Sequence, residues 1–216
     1  MHLTKKEDIL FVGFIFIITT ITAFGQISVS TGITGGLNYS TFGGSDVSNA
    51  TTITQYAAGV FAEINFPLLP ISIQPEVLYS MKGSKGPWIG IAPVFMNRVI
   101  TLKYSYIDIP ILLKYYLPTP VIKPFIFAGP SIGFLVSAKE EETTSPDWGG
   151  VNEVDVKNRT TSTDIGAVIG VGAKIPLFVV DLMLDARYYY GFTSADKINS
   201  SEIYNRVLSV YLGFVF

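Results

Sequence analysis

From Gln26 to the C-terminus, apolar residues recur at every second position in one segment after another. No apolar run long enough for a buried helix interrupts them. A period of two is the mark of strands with unlike faces. Between Tyr104 and Leu117 the sequence reads YSYIDIPILLKYYL. One face carries Ser105, Ile107, Ile109, Ile111, Leu113 and Tyr115, while the other carries Asp108, Pro110 and Lys114 among tyrosines and a leucine. The same split recurs over Asp164–Ile175 and Asp181–Thr193, where Ile/Val/Leu/Ala faces oppose faces bearing Asp, Gly, Lys and Arg. The last segment sets Leu208, Val210, Leu212, Phe214 and Phe216 on one side.

Eight such segments can be marked, near 27–39, 53–66, 71–82, 101–116, 122–138, 161–175, 178–193 and 206–216. Their connections alternate strictly. Pro67–Pro70, Leu117–Pro120 and Pro176-Leu177 are short and proline-bearing, whereas 40–52, 83–100, 139–160 and 194–205 are long and polar. In an antiparallel meander, alternate connections lie at opposite ends. An even strand number, with tight turns at one end and long loops at the other, is the pattern of an outer-membrane barrel. The expected fold is therefore all-β, an eight-stranded antiparallel up-and-down transmembrane β-barrel with both termini at the short-turn end.

A soluble sandwich also alternates, so the aromatic residues decide between the two. On the apolar faces Tyr39, Tyr56, Tyr79, Phe134, Tyr190 and Phe192 gather toward the long loops, and Phe66, Tyr115 and Phe216 toward the short turns. Two aromatic girdles around an aliphatic band fit a lipid bilayer. The 49% hydrophobic and 15% charged composition points the same way. A soluble, lipocalin-type binding barrel stays open as the alternative.

The N-terminus begins with Lys5 and Lys6, an apolar run from Ile9 to Phe24, and the small residues Ala23 and Gly25. This is the layout of a secretory signal peptide over 1–25, cut before Gln26. The run is shorter than the ~20 residues a spanning helix needs. The barrel domain is then 26–216. With no cysteine, neither disulfides nor thiol chemistry are available. The only histidine, His2, falls in the leader, so the mature chain lacks the usual general base of a barrel hydrolase. No enzyme activity, cofactor or metal is expected. A net charge of −2 without a basic cluster gives no support for a nucleic-acid partner.

The inward faces carry a charge set of Glu63, Glu76, Asp108, Asp164, Asp181 and Asp185 against Lys82, Lys114, Lys123, Lys174 and Arg187. Strand direction puts Glu76, Asp108, Asp185 and Arg187 near mid-height. Glu63, Lys114, Lys123, Lys174 and Asp181 fall near the short turns. Eight strands leave an interior just wide enough to be filled by side chains, so these charges are expected to pair and plug the lumen. A proton or ion path is the alternative. The acidic stretch 139–160 lacks EF-hand spacing and reads as a solvated loop. The stretch 83–100 holds Pro87-Trp88-Ile89 and Val94-Phe95-Met96, apolar for a loop. Pro110 removes a ladder donor, and a bulge over Asp108–Ile111 is the expected remedy.

Four runs resemble a known family. YIDIPILLKY (106–115), KPFIFAGPSIGFLVS (123–137), TDIGAVIGVGAKI (163–175) and DARYYYGFT (185–193) are similar, in order, to strands of the PorT-like outer-membrane β-barrel family of Bacteroidota. Asp108 stands where glutamate is commoner in that family. The first two strands and the long loops do not share in the resemblance. It implies an outer-membrane location, with membrane lipid and the barrel-assembly machinery as partners. One member of that family serves type IX secretion and gliding, which would add secretion-system subunits. A permeation or ligand-binding barrel remains the other reading.

Overall fold

A computed structural model describes residues 27–45, 47, 50–87, 98–144, 151–197 and 202–216. The proposed signal peptide and the apolar residues 88–96 lie outside these. Eight strands close a barrel: β1 (Ser28–Gly43), β2 (Ile53–Asn65), β3 (Ile71–Pro87), β4 (Arg98–Tyr116), β5 (Lys123–Thr144), β7 (Thr163–Pro176), β8 (Asp181–Ser194) and β9 (Tyr204–Val215). A short ninth strand, β6 (Val151–Asp155), pairs with the upper part of β5. Every pairing is antiparallel between neighbours, and β1–β9 closes the ring. The ends meet at the short-turn end, where the Phe216 amide donates to the Thr31 carbonyl at 2.7 Å.

The apolar faces look outward. Val60, Leu113, Ile126, Ile169, Leu184 and Leu212 are exposed, as are the aromatics Tyr39, Tyr56, Tyr79, Tyr115, Phe134, Tyr190, Phe192 and Phe216. Phe66 is half-buried. Ser105, which shares the parity of the outward face, is buried, and its Oγ accepts from the Tyr79 phenol at 3.0 Å.

The strands run further toward the long loops than the apolar pattern suggests. β1 continues to Gly43, β3 to Pro87 and β5 to Thr144, while β4 begins at Arg98. The stretch 139–160 is therefore not a plain loop: Lys139–Thr143 pairs with Val151–Asp155, closing with Lys139–Glu153 at 2.6 Å. From Phe134 to Thr144 at ~3.3 Å per residue, and with a tilt of about 40°, β5 rises about 25 Å beyond the upper girdle. The four strands β3–β6 thus form a sheet that stands above one side of the barrel.

The bulge expected at Asp108–Ile111 is absent. The β4–β5 register shifts instead between Ser105 and Tyr106, and Pro110 pairs in sequence with Ser131. Each interior proline on three adjacent strands interrupts its ladder for two pairs without moving the register. The β2–β3 ladder skips from Phe61–Glu76 to Ile64–Ile73 at Pro75, and β3–β4 from Leu78–Asp108 to Pro75–Ile111 at Pro110. Similarly, β4–β5 skips from Pro110–Ser131 to Leu113–Ala128 at Pro130. Amide direction alternates along an antiparallel strand. Tyr116 donates to Pro70 on the β3 side and Leu117 to Pro124 on the β5 side, so Pro110 faces the Glu76 carbonyl and Pro130 faces that of Ile111. A missing donor costs one rung, and the neighbouring rungs hold the register.

Candidate functional site: the ion-paired lumen

The inward faces of the strands project toward a common axis, and their polar groups form three stacked networks. Nearest the short turns, Glu63 on β2 is fully buried. Its Oε2 accepts from Lys174 Nζ on β7 at 2.6 Å, while Oε1 accepts from Ser72 Oγ at 3.0 Å and from the Tyr116 phenol. At mid-height Arg187 on β8 forks between two carboxylates. Nη1 lies 2.7 Å from Glu76 Oε2, and Nε and Nη2 lie 2.8 and 2.9 Å from the oxygens of Asp185. Gln74 Nε2 donates to Glu76 Oε1 at 2.6 Å. The guanidinium lies over the Tyr211 and Phe127 rings, 4.5 and 5.3 Å from their centroids.

Toward the long loops, Lys82 Nζ binds Asp108 at 3.0 Å and Asp164 at 3.1 Å, and sits 4.0 Å from the centroid of Tyr189. Asn205 Nδ2 adds a bond to Asp164 Oδ2 at 2.9 Å. Asn38 fills all four of its positions. It donates to Ser80 Oγ and the Met81 carbonyl, and it accepts from Ser209 Oγ and the Tyr211 phenol. Charges taken out of water are tolerable only when paired and hydrogen-bonded, and these networks supply both.

Apolar side chains fill the space between. Phe61, Leu112, Phe125, Phe127, Val168, Met183 and Val207 form one buried cluster inside the barrel. Glycines on facing positions make room for the rings: a Cβ on Gly170 would lie 2.4 Å from Phe127 Cζ, and one on Gly172 2.4 Å from Phe125 Cζ. Between the upper and middle networks a cavity of about 30 Å³ remains, lined by Asp108, Ser80, Arg187 and Tyr189, room for a water molecule but not a passage.

Of the residues singled out from the sequence, Glu63, Glu76, Asp108, Lys114, Asp164, Lys174, Asp185 and Arg187 are buried, together with Lys82. Two stand apart. Lys123 opens β5 and is exposed, and Asp181 opens β8 and is half-buried; both have inward parity, but at a strand end parity no longer means enclosure. Lys114 is 1% exposed, and no carboxylate of the described residues lies within 4 Å of it. Its Nζ meets Met183 Sδ at 3.2 Å and stands 4.3 Å from the Phe125 centroid. Sequence reasoning passes over the neutral members Asn38, Ser72, Gln74, Tyr116 and Asn205. Their inward parity is the available signal.

A closed ring of outward-apolar strands around a charged interior is the design of a membrane barrel. The sequence matches the model of the outer membrane protein beta-barrel domain over residues 24–197. The chain belongs to that family. Its location is the outer membrane, with the exposed aliphatic belt in contact with lipid. No curated protein matches this outer-membrane barrel by sequence. Among solved structures it is similar to a major outer membrane protein from Thermus thermophilus. That likeness has a TM-score of 0.50 at 14% identity and covers 88% of this chain and 98% of that one. It shows the shared fold. Neisserial surface protein A matches at TM-score 0.47 and 16% identity, covering 88% of this barrel and 99% of that chain. Ail, the attachment invasion locus protein of Yersinia pestis, matches at 0.41 and 10%, covering 87% and 98%.

Proposed function

We propose that this outer-membrane barrel is a non-catalytic scaffold that acts through contacts rather than transport. The filled, ion-paired lumen carries this reading, because its internal cavity of about 30 Å³ supports closure over permeation. By the pattern of such barrels the short turns face the periplasm and the long-loop end faces outward. The β3–β6 sheet then presents a one-sided surface to the exterior. A signal peptide over 1–25 delivers the chain, and the barrel-assembly machinery inserts it.

Within this reading we place the protein with the PorT-like barrels, in association with a secretion or gliding machine. The runs at 106–115, 123–137, 163–175 and 185–193 support that assignment. The test is affinity isolation of the tagged full chain from native outer membranes. Secretion-system subunits should co-purify, and their yield should fall when residues 140–155 are replaced by a short turn. Isolation of the barrel with lipid alone would refute the scaffold role. Steady ion conductance of the purified protein in planar bilayers would refute the closed lumen.

A further inference from the structure

The most exposed large apolar side chains of the described residues stand on the short turns. Phe178 is fully exposed, and Val179, Leu68 and Val121 follow at 89%, 81% and 68%. Ile169, in the middle of the lipid-facing belt, reaches only 63%. No residue is charged over 66–71, 117–122 or 177–180, whereas the opposite end carries Lys139, Glu140, Glu141 and Glu153. Apolar surface left open on this scale marks a contact.

The shape and height of the rim identify what covers it. The turns join β2 to β3, β4 to β5 and β7 to β8, and exposed Val29 and Phe216 complete the rim between β1 and β9. Apolar side chains therefore run all the way round, continuous with the belt in contact with lipid. A protein docking from one side would use only part of such a ring. From Tyr190 in the upper girdle to Asp181, at ~3.3 Å per residue and a tilt of about 40°, β8 descends about 23 Å. From Phe134 to Lys123, β5 descends about 28 Å on the same terms. The apolar band of such barrels is ~25 Å tall. The strand ends thus reach its lower boundary, and the turn tips lie at the level of the headgroups. The backbone suits this place. Pro67, Pro70, Pro118 and Pro120 bring no N–H, while Leu69 and Leu177 donate to the Phe66 and Val180 carbonyls at 2.9 and 3.1 Å. Fewer donors are then left to satisfy at membrane depth. We infer that the whole short-turn rim is seated in the inner leaflet of the outer membrane, with Leu68, Val121 and Phe178 among phospholipid chains next to the headgroups. The turns are then a membrane anchor, not a surface held in periplasmic water.

The chain lacks cysteine, so Leu68→Cys, Val121→Cys and Phe178→Cys each give a single site for a nitroxide spin label. Each labelled chain is refolded in phosphatidylcholine vesicles, and heat-modifiable gel mobility verifies the barrel. Electron paramagnetic resonance then compares collisions with oxygen, which concentrates in lipid, and with a water-soluble nickel chelate. A Glu153→Cys label at the long-loop end supplies the aqueous reference. An oxygen-to-nickel ratio at least threefold above that reference is expected at two or more of the three tips. A ratio within threefold of it at two or more tips would overturn the inference. Tips open to nickel in vesicles but shielded in native outer membranes would overturn it too, and would assign the rim to a protein partner. The vesicles hold no other protein, so failure here is separate from failure of the scaffold reading at the long-loop end.

Discussion

Replacing Arg187 by methionine is the most informative single change in the lumen. Methionine fills much of the same space but leaves Glu76 and Asp185 buried without their cation. Three of the Arg187 contacts to these carboxylates are 2.7–2.9 Å long, and a fourth is 3.4 Å. Breaking a buried ion pair by removing one partner costs ~3–5 kcal/mol. The lost stacking on Tyr211 and Phe127 adds up to about 2 kcal/mol, offset in part by the apolar contacts of methionine. Arg187→Met should therefore lose about 3–5 kcal/mol against urea in phospholipid vesicles, read by heat-modifiable gel mobility. Arg187→Lys keeps the charge but not the fork, and should lose about 1.5–3 kcal/mol, the worth of a hydrogen bond to a charged group. The triple variant Arg187→Met/Glu76→Gln/Asp185→Asn should recover most of the loss, since no isolated charge remains. A loss below about 1 kcal/mol in Arg187→Met would refute the reasoning, because only water reaching mid-lumen could solvate the two carboxylates so cheaply.

Lys114→Met should be neutral or stabilising by up to about 3 kcal/mol, because it removes a desolvated charge with no carboxylate within 4 Å among the described residues, whereas Lys174→Met should cost ~3–5 kcal/mol by stranding Glu63. The same urea titration checks both. Pro110→Ala should return a donor to the Glu76 carbonyl with the register unchanged. Slow hydrogen exchange of the new amide and a stability change within about 1 kcal/mol are the expected results, since a regained bond is offset by greater freedom of the unfolded chain. Gly36→Ala brings a Cβ to 2.0 Å from the Val210 carbonyl oxygen, while Gly35→Ala meets nothing nearer than 3.1 Å. The first should lose about 1–3 kcal/mol and the second clearly less, the gap between them being the measurement.

Within the bilayer, much of this fold is legible from parity alone. Lipid on one side and a filled lumen on the other enforce alternation, and that is why Asp108 and Lys114 can sit in a strand as apolar as YSYIDIPILLKYYL. Above the girdle the signal fades although the backbone pairing continues. KEEETT is polar at every position and shows no alternation, so nothing in the order of residues marks Lys139–Thr144 as a strand, and the five residues of β6 are too few to show a period. Pairs such as Lys103–Glu141, 2.5 Å apart, emerge only once the register is known. Ser105 shows the converse: its parity is that of the lipid face, but it stands at a register shift and is covered by Tyr79. Pro110 misleads because a lost donor is not the same as a shifted register. In a closed ring each strand is held on both sides, and one missing rung has little leverage on the rest.

The lumen pairs also constrain how the barrel can form. Glu63–Lys174 and Glu76–Arg187 each span 111 residues, and Lys82–Asp164 spans 82. None joins neighbouring strands, since each crosses the lumen from β2 or β3 to β7 or β8. A β3–β4 hairpin already holds Lys82–Asp108, and β8 alone holds Arg187–Asp185. Glu63, Glu76, Asp164 and Lys174 have no such local partner and stay uncompensated until the far wall arrives. The cross-lumen pairs thus penalise partly assembled forms in lipid and favour ring closure as the step that completes the networks.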